Sequence, residues 1–194
     1  MRCGIIGFLF LLNAAPAFAQ SQYFPKGIFE DKVRASWYSN QLKALEEPSL
    51  WGLSQSGKQA VVYRFLWLRT FHHPVAIRVV IAPDGTADLI TKVSGGAGGY
   101  GPGPLIENQT KRLSAIEVRE LAEQVNNANF WKLPTEEKQT SFGMDGAQWI
   151  LEGVKDGNYH LVDRWSPKSG TYRAVCLFFV RQLARLRIPR DQVY

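Results

Sequence analysis

Apolar and polar residues follow two rhythms along this chain, and the changes between them outline its elements. From Ala60 to Arg69 apolar residues fill both alternating sets of positions, with Val62, Phe65, Leu66 and Trp67 among them. That is the pattern of a central strand covered on both faces. After His72-His73-Pro74, Ile77, Val79 and Ile81 alternate with Arg78 and Val80, which predicts a half-buried strand. Pro83-Asp84-Gly85 then predicts a turn into a strand at Thr86–Val93, because proline presets the first turn residue and glycine takes the left-handed position. A further strand is expected at Asn108–Leu113. A last pair, Ala147–Val154 and Tyr159–Trp165, is joined at Asp156-Gly157, the strongest short hairpin signal in the chain.

Three stretches keep the helical rhythm. Asp31 to Glu47 carries Val33, Trp37, Leu42 and Leu45 and is stopped by Pro48. Ser114-Ala115-Ile116-Glu117 is a capping box opening a helix with Val118, Leu121, Ala122 and Val125 on its apolar side. Tyr172, Cys176, Phe179, Leu183 and Leu186 mark an amphipathic C-terminal helix with Arg181 and Arg185 on its polar face. Short turns between strands imply antiparallel pairing. The expected fold is α+β: a single antiparallel sheet of about five or six strands, packed on one face by two or three helices. Residues 20–58 form an N-terminal helical segment that joins residues 59–194 in one domain.

The Asp156-Gly157 turn also sets a register. Lys155 opposes Asn158, Gly153 faces His160, Leu151 faces Val162 and Trp149 faces Arg164, with Glu152 opposite Leu161 and Ile150 opposite Asp163. His160, Arg164 and Trp149 then share one sheet face, and Glu152 and Asp163 project from the other.

The first 19 residues fall outside the domain pattern. Arg2, the apolar run Gly4–Leu12 and the small residues of Ala17-Phe18-Ala19 have the order of a secretory signal peptide cut after Ala19. The run is half the length a membrane span needs. An exported product, periplasmic or extracellular, is expected, with no transmembrane segment in the mature chain. Export changes the reading of the cysteines. Cys3 leaves with the signal, so Cys176 has no intramolecular disulfide partner and is expected as a small buried hydrophobe. The net charge of +6 is scattered and not gathered on one face, so no nucleic-acid partner is expected.

No stretch carries a cofactor or metal motif. Gly96-Ala97-Gly98-Gly99-Tyr100-Gly101 matches G-x-G-x-x-G in form, but Pro102 and Pro104 follow where a helix would have to begin, so the loop at 94–103 is read as a connector or a lid. Asn108-Gln109-Thr110 matches a glycosylation sequon and is assigned no role. His72 and His73 are adjacent and point to opposite sides of an extended chain, which does not suit one metal ion. Most of the six tryptophans are expected in the core, among them Trp67, Trp131 and Trp149, whereas Trp165 at a strand end is the best candidate for an exposed ring.

Two functions fit these residues. The favoured one is a non-enzymatic binding or interaction module for an envelope polymer or another exported protein, with Arg164, Trp165 and Tyr100 as ligand-binding candidates. The alternative is a hydrolase or lyase with Asp145, Glu152, His160 and Asp163 as acid/base candidates on the 145–165 hairpin. A purely structural reading of that hairpin stacks Arg164 on Trp149 and pairs the carboxylates with arginines.

Overall fold

A computed structural model describes residues 22–137 and 145–194; the expected signal peptide and its cut lie outside them. Six strands, β1 (Val61–Arg69), β2 (Val75–Ile81), β3 (Ala87–Ser94), β4 (Leu105–Leu113), β5 (Ala147–Lys155) and β6 (Asn158–Trp165), form one antiparallel sheet in the order β4-β3-β2-β1-β5-β6. The doubly apolar β1 lies inside it, between β2 and β5, and almost every one of its residues is buried. Asp156 and Gly157 both adopt positive φ, 51° and 74°, and the β5–β6 register is the one that turn dictates, from Lys155 opposite Asn158 to Trp149 opposite Arg164.

The odd-numbered residues of β1 face the helices α3 (Ala115–Asn127) and α4 (Thr171–Phe178). Phe65, Trp67, Ile77, Trp149 and Leu151 pack there against Leu121, Val125, Val175, Cys176 and Phe179. The capping box forms, with Glu117 bonded to the Ser114 amide at 2.8 Å. The C-terminal helix is shorter than its spacing suggests. It passes into one π turn at Phe179–Leu183 and ends before Arg185, whose φ is 54°, so Leu186 lies on an irregular strap instead of on the helix.

The expectation of helices on one face needs correction. The other face is covered by α1 (Lys32–Ala44), by a short helix α2 (Leu50–Ser54) and by the chain leading into them. Phe24, Phe29, Tyr38, Leu42 and Leu45 pack on Leu66, Leu68, Ala76, Ile150 and Leu161. Within α1 the buried side runs through Tyr38, Gln41 and Leu42, while Val33 is 69% exposed. A Schellman motif closes α1: Glu47 N donates to Leu42 O, Glu46 N donates to Lys43 O, and Glu46 sits at φ 51°. That turn drives the Glu47 side chain inward over the sheet. Among the described residues no helix is long and apolar enough to cross a membrane.

Candidate functional site

The covered second face explains where the charged residues of the strands go. Arg64 lies directly between Arg78 on β2 and Glu152 on β5. It is fully buried; its Nε donates to Glu152 Oε2 (2.8 Å) and its Nη1 to Pro48 O (2.6 Å). Two arginines side by side would repel. Glu47 prevents this by accepting from Arg78 Nε at 2.8 Å, with Arg64 Nη1 at 3.4 Å and Lys92 Nζ at 3.5 Å. Tyr159 donates to the second Glu152 oxygen at 2.9 Å. Burial raises Glu152, and Arg64 and Tyr159 pull it back. Glu152 is therefore one member of a closed network that ties α1 to the sheet.

Asp163 lies on the same face in a separate cluster. Tyr38 donates to its Oδ2 at 2.8 Å, and Arg34 stands 3.5 Å away but is held more closely by Glu136. Burial pushes the Asp163 carboxyl up to about 7, against the opposing pull of Tyr38 and Arg34. His160 is on the opposite face, between the rings of Phe130 (centroids 5.0 Å apart) and Trp131 (6.0 Å), and its burial lowers its pKa. Gly153, its cross-strand neighbour, makes room for those rings: a Cβ there would come within 2.7 Å of Phe130. Asp145 is exposed at the end of the sheet. The four acid/base candidates thus occupy separate surroundings.

Arg164 is only 7% exposed. Its guanidinium donates to Thr135 O (3.0 Å), Pro134 O (2.9 Å) and Asp163 O (2.7 Å) and pairs with Glu137 at 2.9 Å. It does not stack on Trp149. Tyr172 lies beneath it at 5.6 Å, and Trp149 receives Arg173 instead at 5.2 Å. One turn of helix places Arg173 where strand register alone seemed to place Arg164.

The other two ligand-binding candidates lie toward one end of the sheet, each beside Phe71. There the β1–β2 turn, the glycine loop, the start of β5 and the end of β6 come together. The glycine loop is a folded hairpin, not a lid. Gly95 N donates to Pro104 O, Gly96 N to Pro102 O and Ala97 N to Gly101 O. Its tip is stitched to the neighbouring turn by Gly98 N to His72 O (3.0 Å) and Gly99 N to Thr70 O (3.1 Å). From the other side Trp37 Nε1 and Gln41 Nε2 donate to Gly98 O at 3.1 and 3.3 Å. A Cβ on Gly98 would sit 2.6 Å from Leu68 C and Arg69 O, so only glycine permits this approach.

The loop holds Tyr100 beside Phe71. Both rings are exposed, 64% and 57%, with centroids 6.3 Å apart. Next to them opens a cleft of about 660 Å³ lined by Phe71, His72, Asp145, Trp165, Lys168 and Tyr194. Trp165 is half-buried along its wall. Sequence reasoning missed Phe71. The available signal was a large aromatic inside the polar turn Thr70–Pro74, where no core lies beneath it.

Among the described residues no cluster of His, Cys, Asp and Glu could hold a metal ion. No protein-family model matches the chain, and no curated protein matches it.

Proposed function

We propose that this is an exported, non-enzymatic binding module whose contact surface is the aromatic end of the sheet. The observation that carries the reading is the pairing of Phe71 and Tyr100, two exposed rings on loops that are rigidly stitched together. Holding such rings in water is unfavourable unless a partner covers them. Flat rings beside a cleft with Asp145 and Lys168 suit a polymer that offers an apolar ring face and hydroxyl groups, or an exposed segment of another exported protein. The hydrolase or lyase reading loses support from the geometry, because His160 lies across the sheet from Glu152 and Asp163, and acid/base catalysis needs its groups around one substrate.

The test compares the wild type with Phe71→Ala/Tyr100→Ala in co-sedimentation with an insoluble cell-wall glycan fraction and in capture of total exported protein. Both side chains are exposed, so the double variant should keep its circular dichroism and melting temperature. It should lose retention in the assay where the wild type is retained. Equal retention of the two would remove this surface from consideration.

A further inference from the structure

Arg69, the last residue of β1, is 3% exposed, and it is unlike the other buried cations of the molecule. Arg64, Lys92 and Arg164 each have a carboxylate within reach. Among the described residues Arg69 has none. Its guanidinium lies 4.4 Å above the Trp67 ring, and Nη2 donates to His73 O at 3.3 Å. Nε and Nη1 have no acceptor, and neither does Nε1 of the indole beneath. Every one of these unsatisfied atoms is an N–H donor. Burying such donors unpaired is unfavourable, and burial draws the Arg69 guanidinium down to about 10. The local deficit is for an acceptor, preferably an anionic one.

A cavity of about 410 Å³ opens beside Arg69, within the range of small-molecule sites. Val75, Val93, Leu186, Ile188 and Pro189 make its apolar walls. The strap after the π turn forms its roof, tied down by Leu186 N to Val180 O (2.9 Å), Trp149 Nε1 to Tyr194 O (2.8 Å) and His72 Nδ1 to Tyr194 Oη (2.8 Å). We propose that this cavity binds a small monocarboxylate with a short apolar chain, the carboxylate on the Arg69 fork and the chain along the aliphatic walls. A guanidinium presents paired donors at carboxylate spacing, and the walls reward buried methylene groups. Glu107 and Arg187, both exposed on the cavity lining, offset one another, so the buried Arg69 sets the preference for an anionic group and the apolar walls set the preference for an alkyl chain. Because Arg69 is covered, the strap yields locally as the ligand enters.

Octanoate is the probe, titrated into the purified protein while the Trp67 indole and Arg69 Nε signals are followed by 1H–15N NMR. Both signals should shift saturably, with butyrate binding more weakly and 1-octanol failing to move Arg69. Arg69→Gln should weaken octanoate binding about 10- to 100-fold, the loss expected for a charge-assisted bond. Tyr100→Ala should leave it unchanged, which separates this site from the aromatic face. Signals unmoved at octanoate concentrations up to about 1 mM, or equal binding by Arg69→Gln, would overturn the proposal. If Arg69→Gln loses its fold, Ile188→Trp fills the cavity and keeps the arginine; it must then abolish the shift, and persistence of the shift would equally overturn the proposal.

Discussion

Replacing Asp163 by asparagine should make the protein less sensitive to pH. The carboxyl is 3% exposed, and its nearest cation, Arg34, is shared with Glu136, so its negative charge is poorly compensated. Its folded value stands at about 7, against 3.8 for the free group. A carboxyl with a raised pKa binds its proton more readily when folded, so its contribution to stability grows as pH falls through 7 and levels off below about 4. For one such group, linkage gives on the order of 2–3 kcal/mol of added stability between pH 8 and pH 5. His160 opposes this in the lower part of the window, since its lowered pKa favours unfolding once imidazole in the unfolded chain is protonated. The clean quantity is therefore the stability difference between wild type and Asp163→Asn, measured by urea unfolding at both pH values. Any fixed penalty for the amide cancels between them. That difference should move in favour of the wild type by about 2–3 kcal/mol on going from pH 8 to pH 5. A difference independent of pH would refute the reasoning, as would one of opposite sign.

Three further outcomes follow from the same contacts. Arg64→Met leaves Glu152 buried with its cation gone, while Glu47 keeps Arg78 and Lys92, and should lower urea-unfolding stability by about 3–5 kcal/mol; adding Glu152→Leu should restore much of it. Gly98→Ala forces a methyl group against the β1 backbone and should destabilise by about 1–3 kcal/mol, with NMR shifts concentrated at residues 96–101 and the Trp37 indole. Cys176 is fully buried and its thiol is pushed well above the usual range by desolvation, so a thiol reagent such as DTNB should label it only under unfolding conditions.

The parts of the fold that were legible in the sequence are those set by local chemistry. Asp156-Gly157 fixes a hairpin register because both residues accept positive φ, and that register alone puts His160 and Glu152 on opposite faces. Ser114 and Glu117 cap α3 through contacts three residues apart. What was not legible depends on distant neighbours. Arg78 was expected on the polar side of a half-buried strand, and nothing within the strands named a partner for Arg64; the N-terminal segment covers that face and supplies Glu47 as a counter-ion to both. Val33 fits the helical spacing of α1 and is still exposed, since the sheet meets α1 through Tyr38 and Gln41. At the candidate site Tyr100 and Trp165 could be picked out as aromatics near turns. Arg164 could not be excluded from it, because the carbonyls that occupy its guanidinium come from Pro134 and Thr135, some thirty residues earlier in the chain. Phe71 stands out in the sequence only as a large aromatic in a polar turn; its partner Tyr100 is brought alongside it by the glycine loop, about thirty residues later in the chain.

The aromatic end of the sheet is the centre of the account, and the paired retention assay tests it most directly. Wild-type protein should sediment with the glycan fraction or capture an exported protein, and folded Phe71→Ala/Tyr100→Ala should do neither. Retention of the double variant at the wild-type level, with its fold intact, would contradict the account.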